Sequence, residues 1–382
     1  MILNNVKILS ADQAVSIRIR NGKIEQILPG HFHDKTEPFD LIFDNAVIFP
    51  GLINSHDHLD FNLFPALGNK TYKNYTEWGK HLHKHYKTEI EQVLKVPEVL
   101  REKWGIYKNL LCGVTTVVNH GKKISVTDSP ITIYQDCQSI HSVKFDKKWF
   151  CRLNNLFKKK LPVAIHCGEG TDQSALKEID HLKNWNLLKR DLIAVHGVAM
   201  TENQAPAFKG LVWCPESNYF LLGKTAPVNC LKKHLPILLG TDSTLTGDWN
   251  IWKHIQLARK TKLLSDQELY DSLTINPAKT WGLNEGEILK DRSANLVIVK
   301  AHDYLNGYDS FFSVNPKKIL MVIHQGNIVL FDEELWAQLK HIDLSVYSKI
   351  NIGGVYKFVY GNLSGLMQEI KQFYPTAEFP VI

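Results

Sequence analysis

Four stretches of this 382-residue chain end an apolar run on a side chain that can bind a metal. The first is Phe49-Pro-Gly-Leu-Ile-Asn-Ser-His56-Asp-His58. In an extended strand residues i and i+2 share a side, so His56 and His58 can present two imidazoles to one ion. The second is Val163-Ala-Ile-His166, with Glu169 three positions on. A ligand on a rigid strand beside an acid on the following loop suits metal-assisted hydrolysis with proton shuttling. The third is Leu192-Ile-Ala-Val-His196, and the fourth is Ile237-Leu-Leu-Gly-Thr-Asp242. A buried aspartate needs a partner, which a cation supplies. Each fragment alone suits a core histidine or a helix-capping aspartate as well as a ligand. What singles them out is that all of them fall at strand C-termini, the end of a parallel α/β barrel where sites form.

The other histidines carry less. The chain has 17, and H-x-H recurs at His31/His33, His81/His83 and His83/His85. The pair at 31 and 33 sits in a polar turn, and the trio lies in a Lys-rich helical stretch where i and i+2 diverge, so both are read as surface groups. His120 ends the strand Thr115–Val118 and either faces the site or closes the strand on nearby backbone. The rest are read as surface or packing residues. Six scattered cysteines without a C-x-x-C pair read as reduced core residues. A net charge of +6, with Lys158-Lys159-Lys160 as the longest basic run, offers no nucleic-acid stripe or membrane patch. No apolar run is long enough to span a bilayer and no signal core follows Met1, which points to a cytoplasmic protein.

The elements that must position these residues follow from periodicity. Continuous apolar runs near 46–56, 114–119, 131–140, 162–167, 191–196, 210–214 and 236–242 read as buried parallel strands. Helical stretches such as Asn250–Lys262 and Asp266–Leu273 lie between strands or follow the last. Residues 51–285 suit a small (β/α)8 TIM barrel, compressed around its third and fourth strands because no eighth strand is evident. Residues 1–50 and 286–335 carry short alternating runs, one with an Asn21-Gly22 hairpin turn, and are assigned to a small β-sandwich domain. A tail, 336–382, begins within a helix over Glu333–His341 and has no assigned role.

The order Pro-Gly-Leu-Ile-Asn-Ser-His56-x-His58, His166-x-x-Glu169, His196-Gly, Cys214-Pro-x-Ser-Asn218 and Gly-Thr-Asp242-Ser resembles the amidohydrolase superfamily. The branch it resembles holds cytosine deaminase, guanine deaminase and the triazine hydrolases. Gly113-Val-Thr-Thr-Val, Thr274-Ile-Asn-Pro-Ala278 and Ser293-Ala-Asn-Leu-Val-Ile support the likeness, which runs over about residues 1–330. The resemblance implies one divalent metal, zinc or iron, held by His56, His58, His166 and Asp242. It implies catalytic roles for Asp242, Glu169 and His196: taking the proton of the attacking water, carrying a proton to the leaving nitrogen, and steadying the oxyanion. The implied reaction is deamination of a small aminated heterocycle. The alternatives are a mononuclear amidohydrolase or chlorohydrolase, and a metal-binding barrel without catalysis. A small-molecule substrate and a homo-oligomer are expected, with no nucleic-acid or membrane partner. Asp57 departs from the family pattern, which favours small or hydroxyl residues there.

Overall fold

A computed structural model describes residues 1–9, 11, 13–34, 36–301 and 307–382. One nine-stranded sheet is built from both ends of the chain. Its order is Tyr347–Ile352, Val355–Tyr360, Asn327–Asp332, Ile319–His324, Leu296–Lys300, Asp40–Pro50, Ile2–Ile8, Ala14–Arg20 and Lys23–Pro29. The Asn21-Gly22 turn forms as expected, with φ of 52° and 73°, and Gln325-Gly326 makes a second such turn, with φ of 48° and 78°. The two turns meet: a Cβ added to Gly326 would lie 2.9 Å from the Gly22 Cα. In a flat sheet the strands bearing them would stand roughly 19 Å apart at ~4.8 Å per strand. The sheet therefore rolls on itself, and one apolar cluster joins Leu3, Ile17 and Ile24 to Met321, Phe331 and Phe358.

The tail belongs to this sheet. The expected helix over Glu333–His341 is instead a tight 3-10 stretch, Glu333–Gln338. Residues 347–352 and 355–360 then add two edge strands, and the helix Leu363–Phe373 follows them. Phe379 packs edge-on to Trp104 at 4.7 Å, so the chain end braces the helix Glu98–Leu110. A buried ion pair, Lys357 to Asp332 at 2.7 Å, ties the tail strand to its neighbour.

Eight further strands are all parallel: Leu52–Asp57, Val114–Asn119 and Thr132–Tyr134 in one sheet, and Gln138–Ser142, Val163–Cys167, Leu192–His196, Gly210–Trp213 and Ile237–Leu239 in another. Two expected strands divide. The run at 46–56 splits at Gly51 between the rolled sheet and the parallel one, because a Cβ at 51 would lie 2.1 Å from Thr115 Oγ1. The run at 131–140 splits into Thr132–Tyr134 and Gln138–Ser142, which supplies the strand the sequence did not reveal.

The last and first parallel strands also touch, because the His56 carbonyl accepts the N–H groups of Thr241 at 3.1 Å and Asp242 at 3.0 Å. Alternation sorts the side chains. Ile193, Val195, Ala164, Val212 and Leu238 share an inner cluster with Val118 of the other sheet, whereas Leu192, Ala194, Val163 and Ile165 face the surrounding helices. Cys112, Cys137, Cys167 and Cys214 are buried free thiols, while Cys151 is exposed and Cys230 half-buried. Among the described residues no helix is long and apolar enough to cross a membrane.

The segment after the first parallel strand runs across the strand ends. Leu67 N–H donates to the Leu245 carbonyl at 3.1 Å, Tyr72 N–H to Leu221 at 2.7 Å and Tyr75 N–H to Glu169 at 3.1 Å. The Tyr75 hydroxyl also donates to Glu178 at 3.0 Å. Burial pushes the Glu178 carboxyl from 4.5 up to about 7, outweighing that hydrogen bond. A carboxyl raised by folding favours the folded state while protonated, so its contribution is full below pH 4.5 and lost as pH rises through about 7. Relative to Glu178→Gln, the wild type should lose up to about 3 kcal/mol of stability on going from acid to mildly alkaline pH. Urea unfolding of both chains across that range checks this, and parallel profiles would show that Glu178 does not titrate there.

Candidate metal centre

The four strand ends converge. His56 Nε2 lies 3.2 Å from His166 Nε2 and 3.7 Å from Asp242 Oδ1, and His58 Nε2 lies 3.8 Å from the same oxygen. His196 Nε2 is 3.7 Å from Glu169 Oε2. The ligand atoms of His56, His196 and Asp242 fall within 4.8 Å of one another, as do those of His166, Glu169 and His196. All are buried. Burial pushes His56 and His166 well below the ordinary imidazole range, with neighbouring histidines adding to the effect, and brings His196 down to about 4. The rings are therefore neutral at neutral pH, with lone pairs available for a divalent ion. His56 and His166 turn the same ring atom toward each other, an arrangement that a shared cation satisfies. The donor set of imidazoles and one carboxylate fits zinc or iron.

Backbone conformation contributes what strand alternation cannot. By its position His196 should face outward with Leu192 and Ala194, but its φ is 72°, and this left-handed turn brings the ring into the site. Asp242 also has positive φ, at 57°. Such conformations cost on the order of 1–3 kcal/mol each for non-glycine residues and gather at functional sites.

The motif Cys214-Pro-x-Ser-Asn218 positions two of these groups, a role the sequence did not disclose. Ser217 Oγ donates to Asp242 Oδ2 at 2.9 Å, and Thr246 Oγ1 donates to the same oxygen at 3.1 Å. Oδ1 accepts the Ser243 N–H at 2.9 Å and faces the imidazoles. Burial pushes the Asp242 carboxyl up, but the His58 and His196 rings and the two hydroxyls outweigh it and hold the group below its usual value. Trp213 Nε1 donates to Thr225 Oγ1 at 2.5 Å, Thr225 donates to Asn218 Oδ1 at 3.3 Å, and Asn218 Nδ2 then donates to His196 Nδ1 at 3.0 Å. This chain assigns the His196 proton to Nε2, pointing at Glu169. Glu169 is the opposite of Asp242: burial raises it well above the ordinary carboxyl range, with the charges of Asp242 and Glu178 adding to the rise, so it holds its proton.

Asp57 explains its own departure from the family pattern. It is fully buried and pairs with Lys108 at 2.9 Å, itself 1% exposed. Asn62 Nδ2 and Asn109 Nδ2 each donate to Asp57 at 2.8 Å, and Lys108 Nζ also donates to Asn62 Oδ1 at 2.9 Å. Asn54 links the network to the Asp242 loop, donating to Thr241 Oγ1 at 2.8 Å and accepting the Thr241 N–H at 3.1 Å. The turn carrying His56 and His58 is thus held from below by the helix Glu98–Leu110.

Of the remaining histidines, His33 pairs with Asp40 in the polar turn, and His81, His83 and His85 stand on the helix Tyr75–His85, as expected of peripheral groups. His120 faces the site, 4.9 Å from His56 by ring centroids. His141, which the sequence assigned to surface or packing, is 5.0 Å from His166. Its only signal was a place after a weak apolar run inside the divided strand. A cavity of about 560 Å³ opens here, with His58, His120, His141 and Phe61 on its wall. Trp252 is core, donating to the Cys112 carbonyl at 3.0 Å.

Several known proteins are similar to this chain. Residues 151–329 match the amidohydrolase family. The chain is 26% identical over 202 residues to a 5-methylthioadenosine/S-adenosylhomocysteine deaminase of Pyrococcus abyssi, a match covering 45% of this chain and about half, 47%, of that relative. With the enzyme of the same name from Pyrococcus furiosus the identity is 23% over 87% of this chain and 96% of the relative. In fold it is similar to a guanine deaminase from C. acetobutylicum solved with bound guanine, with a TM-score of 0.66, 16% identity, and coverage of 86% of this chain and 99% of that one. A segment just short of half the chain thus matches the amidohydrolase family, and the fold as a whole is similar to that of a solved guanine deaminase.

The buried pair yields a direct expectation. Removing one member leaves an uncompensated buried charge, at about 3–5 kcal/mol. Lys108→Met should lower stability by that order in urea unfolding, and Asp57→Asn combined with it should recover much of the loss. Additive losses would mean that the two groups do not act as a pair.

Proposed function

We propose that the chain is a metal-dependent hydrolase that attacks the carbon of a C–N bond, and that its reaction is deamination of a small aminated heterocycle. The two parallel sheets, touching at His56 and Thr241 and sharing one inner apolar cluster, are read as arcs of a single (β/α)8 barrel. His56, His58, His166 and Asp242 are the proposed ligands of one divalent ion, zinc or iron. The ion's contribution is to polarise a water, lowering its pKa from 15.7 toward roughly 7.

The observation that carries the reading is the opposed surroundings of two buried carboxyls at one point: imidazoles and two hydroxyls hold Asp242 below its ordinary range, and burial pushes Glu169 well above it. Such a split separates a base from an acid. Asp242, ionised, takes the proton of the attacking water at Oδ1, which carries one hydrogen bond, from the Ser243 N–H, where Oδ2 carries two, from Ser217 and Thr246. Glu169, protonated, delivers its proton to the substrate nitrogen, which leaves as ammonia. His196, with its proton on Nε2, donates to the attacking oxygen and holds it against the carbon, while the electron pair displaced onto the ring nitrogen returns as the C–N bond to the amine breaks. The cavity volume, about 560 Å³, lies in the range of small-molecule sites. The relatives named as deaminases of adenosine derivatives support an amino-substituted purine as the substrate class.

Ammonia release measured over aminopurines, aminopyrimidines and aminotriazines tests the reaction, with metal per chain determined on the same sample. Release of an amine or halide without ammonia from any of them would favour the chlorohydrolase-type alternative. Asp242→Asn should abolish turnover with the fold retained, and persistent turnover would contradict the role given to Asp242. Glu169→Gln should lower kcat by about 10²–10⁴ with metal content unchanged; loss of metal instead would make Glu169 a ligand.

A further inference from the structure

His120 has no place in the ligand set just proposed, yet it is built into the same point. It is 2% exposed and follows the strand Val114–Asn119. Its backbone N–H donates to the Asp57 carbonyl at 2.8 Å, so its main chain is fixed to the residue between His56 and His58. Its ring centroid lies 4.9 Å from that of His56 and 5.2 Å from that of His58, and the ring stacks on His166 at 4.4 Å and 14°.

Neither ring nitrogen of His120 completes a hydrogen bond among the described residues. Leaving such a group buried and unpaired costs about 1–3 kcal/mol, so the site must supply something for it. The ligand atoms of His56, His120 and His166 all lie within 4.8 Å of one another. One ion at about 2.0–2.1 Å from each nitrogen holds its ligands at most about 4.2 Å apart, so closing this group on an ion takes only a small inward movement of the rings.

We propose that His120 is a further ligand of the same ion, which makes the centre richer in imidazole than His56, His58, His166 and Asp242 alone. This rests on the metal-centre reading above. An added imidazole tilts the site toward zinc, iron, cobalt and nickel and away from magnesium, calcium and manganese. It also predicts that retention of the ion depends on a residue outside the motifs of the family.

The test uses the full chain stripped of metal and reloaded with Co²⁺, whose visible absorption reports its ligands and whose affinity is read by chelator competition. The wild type should take up one Co²⁺ per chain. His120→Asn should bind it at least about tenfold more weakly and show a changed visible spectrum, while the metal-free chain still unfolds in one cooperative transition. His120→Gly should lose the wild-type spectrum and regain it when free imidazole is added, which a role confined to packing would not produce. Unchanged affinity and spectrum in His120→Asn, or no recovery with imidazole, would overturn the proposal while leaving the other ligands standing. If the wild type itself bound no Co²⁺, the metal-centre reading would fall and this inference with it.

Discussion

The arrangement depends on one backbone contact, the His56 carbonyl receiving the N–H groups of both Thr241 and Asp242. It joins the first parallel strand to the last across the whole length of the domain and sets the carboxylate of one beside the imidazoles of the other. The approach is close enough that a Cβ at position 240 would lie 2.8 Å from the His56 Cβ, so only glycine fits there. Given that contact, the parallel order of the intervening strands brings His166, Glu169 and His196 to the same end. The Asp57–Lys108 pair and the Asn54 amide hold the contact from beneath.

The centre works against stability to obtain chemistry. Several imidazoles are buried where they cannot be protonated, and two residues are held at positive φ. Two carboxyls in one apolar setting end on opposite sides of their ordinary range because their partners differ. Asp242 is held low by histidines and two hydroxyls, whereas at Glu169 burial dominates and the charges of Asp242 and Glu178 add to it, with His196 as the nearby imidazole. An apolar core of strands and helices surrounds these costs, and the segment at 61–75 is pinned to the loop after Ile237–Leu239, to the helix Pro215–Leu222 and to the loop after Val163–Cys167.

Much of this was legible in the sequence because the signals are local. A strand reads as an apolar run, and a candidate side chain at its end is the next residue; His56, His58, His166, His196 and Asp242 were singled out that way, and the structure brings them together. What was missed depends on tertiary structure. A continuous pattern from 131 to 140 conceals two short strands, since alternation does not show where a chain bends. The tail at 336–382 looked separate because its strands pair with residues distant in sequence, and the rolled shape of the terminal sheet shows only when its two glycine turns meet. Ser217 and Asn218 were noticed as a motif without a role, because orienting Asp242 and His196 is a three-dimensional act. His120 and His141 end weaker runs, and their place in the cluster depends on which strands lie side by side. Asp57 looked anomalous until its partner Lys108 appeared on a helix far along the chain.

The central claim is that neutral imidazoles and one ionised carboxylate hold a single divalent ion at the strand ends. X-ray absorption at the zinc edge of the zinc-loaded protein tests it most directly. Cys167 is adjacent to His166 in the chain, and Asp242 and Glu169 both act on the Cys214 thiol, so sulfur is the competing ligand. The account predicts a nearest shell of nitrogen and oxygen only, at about 2.0–2.2 Å, with the outer scattering of several imidazoles and one ion per chain. A sulfur neighbour at about 2.3 Å, or a shell without imidazole, would contradict it.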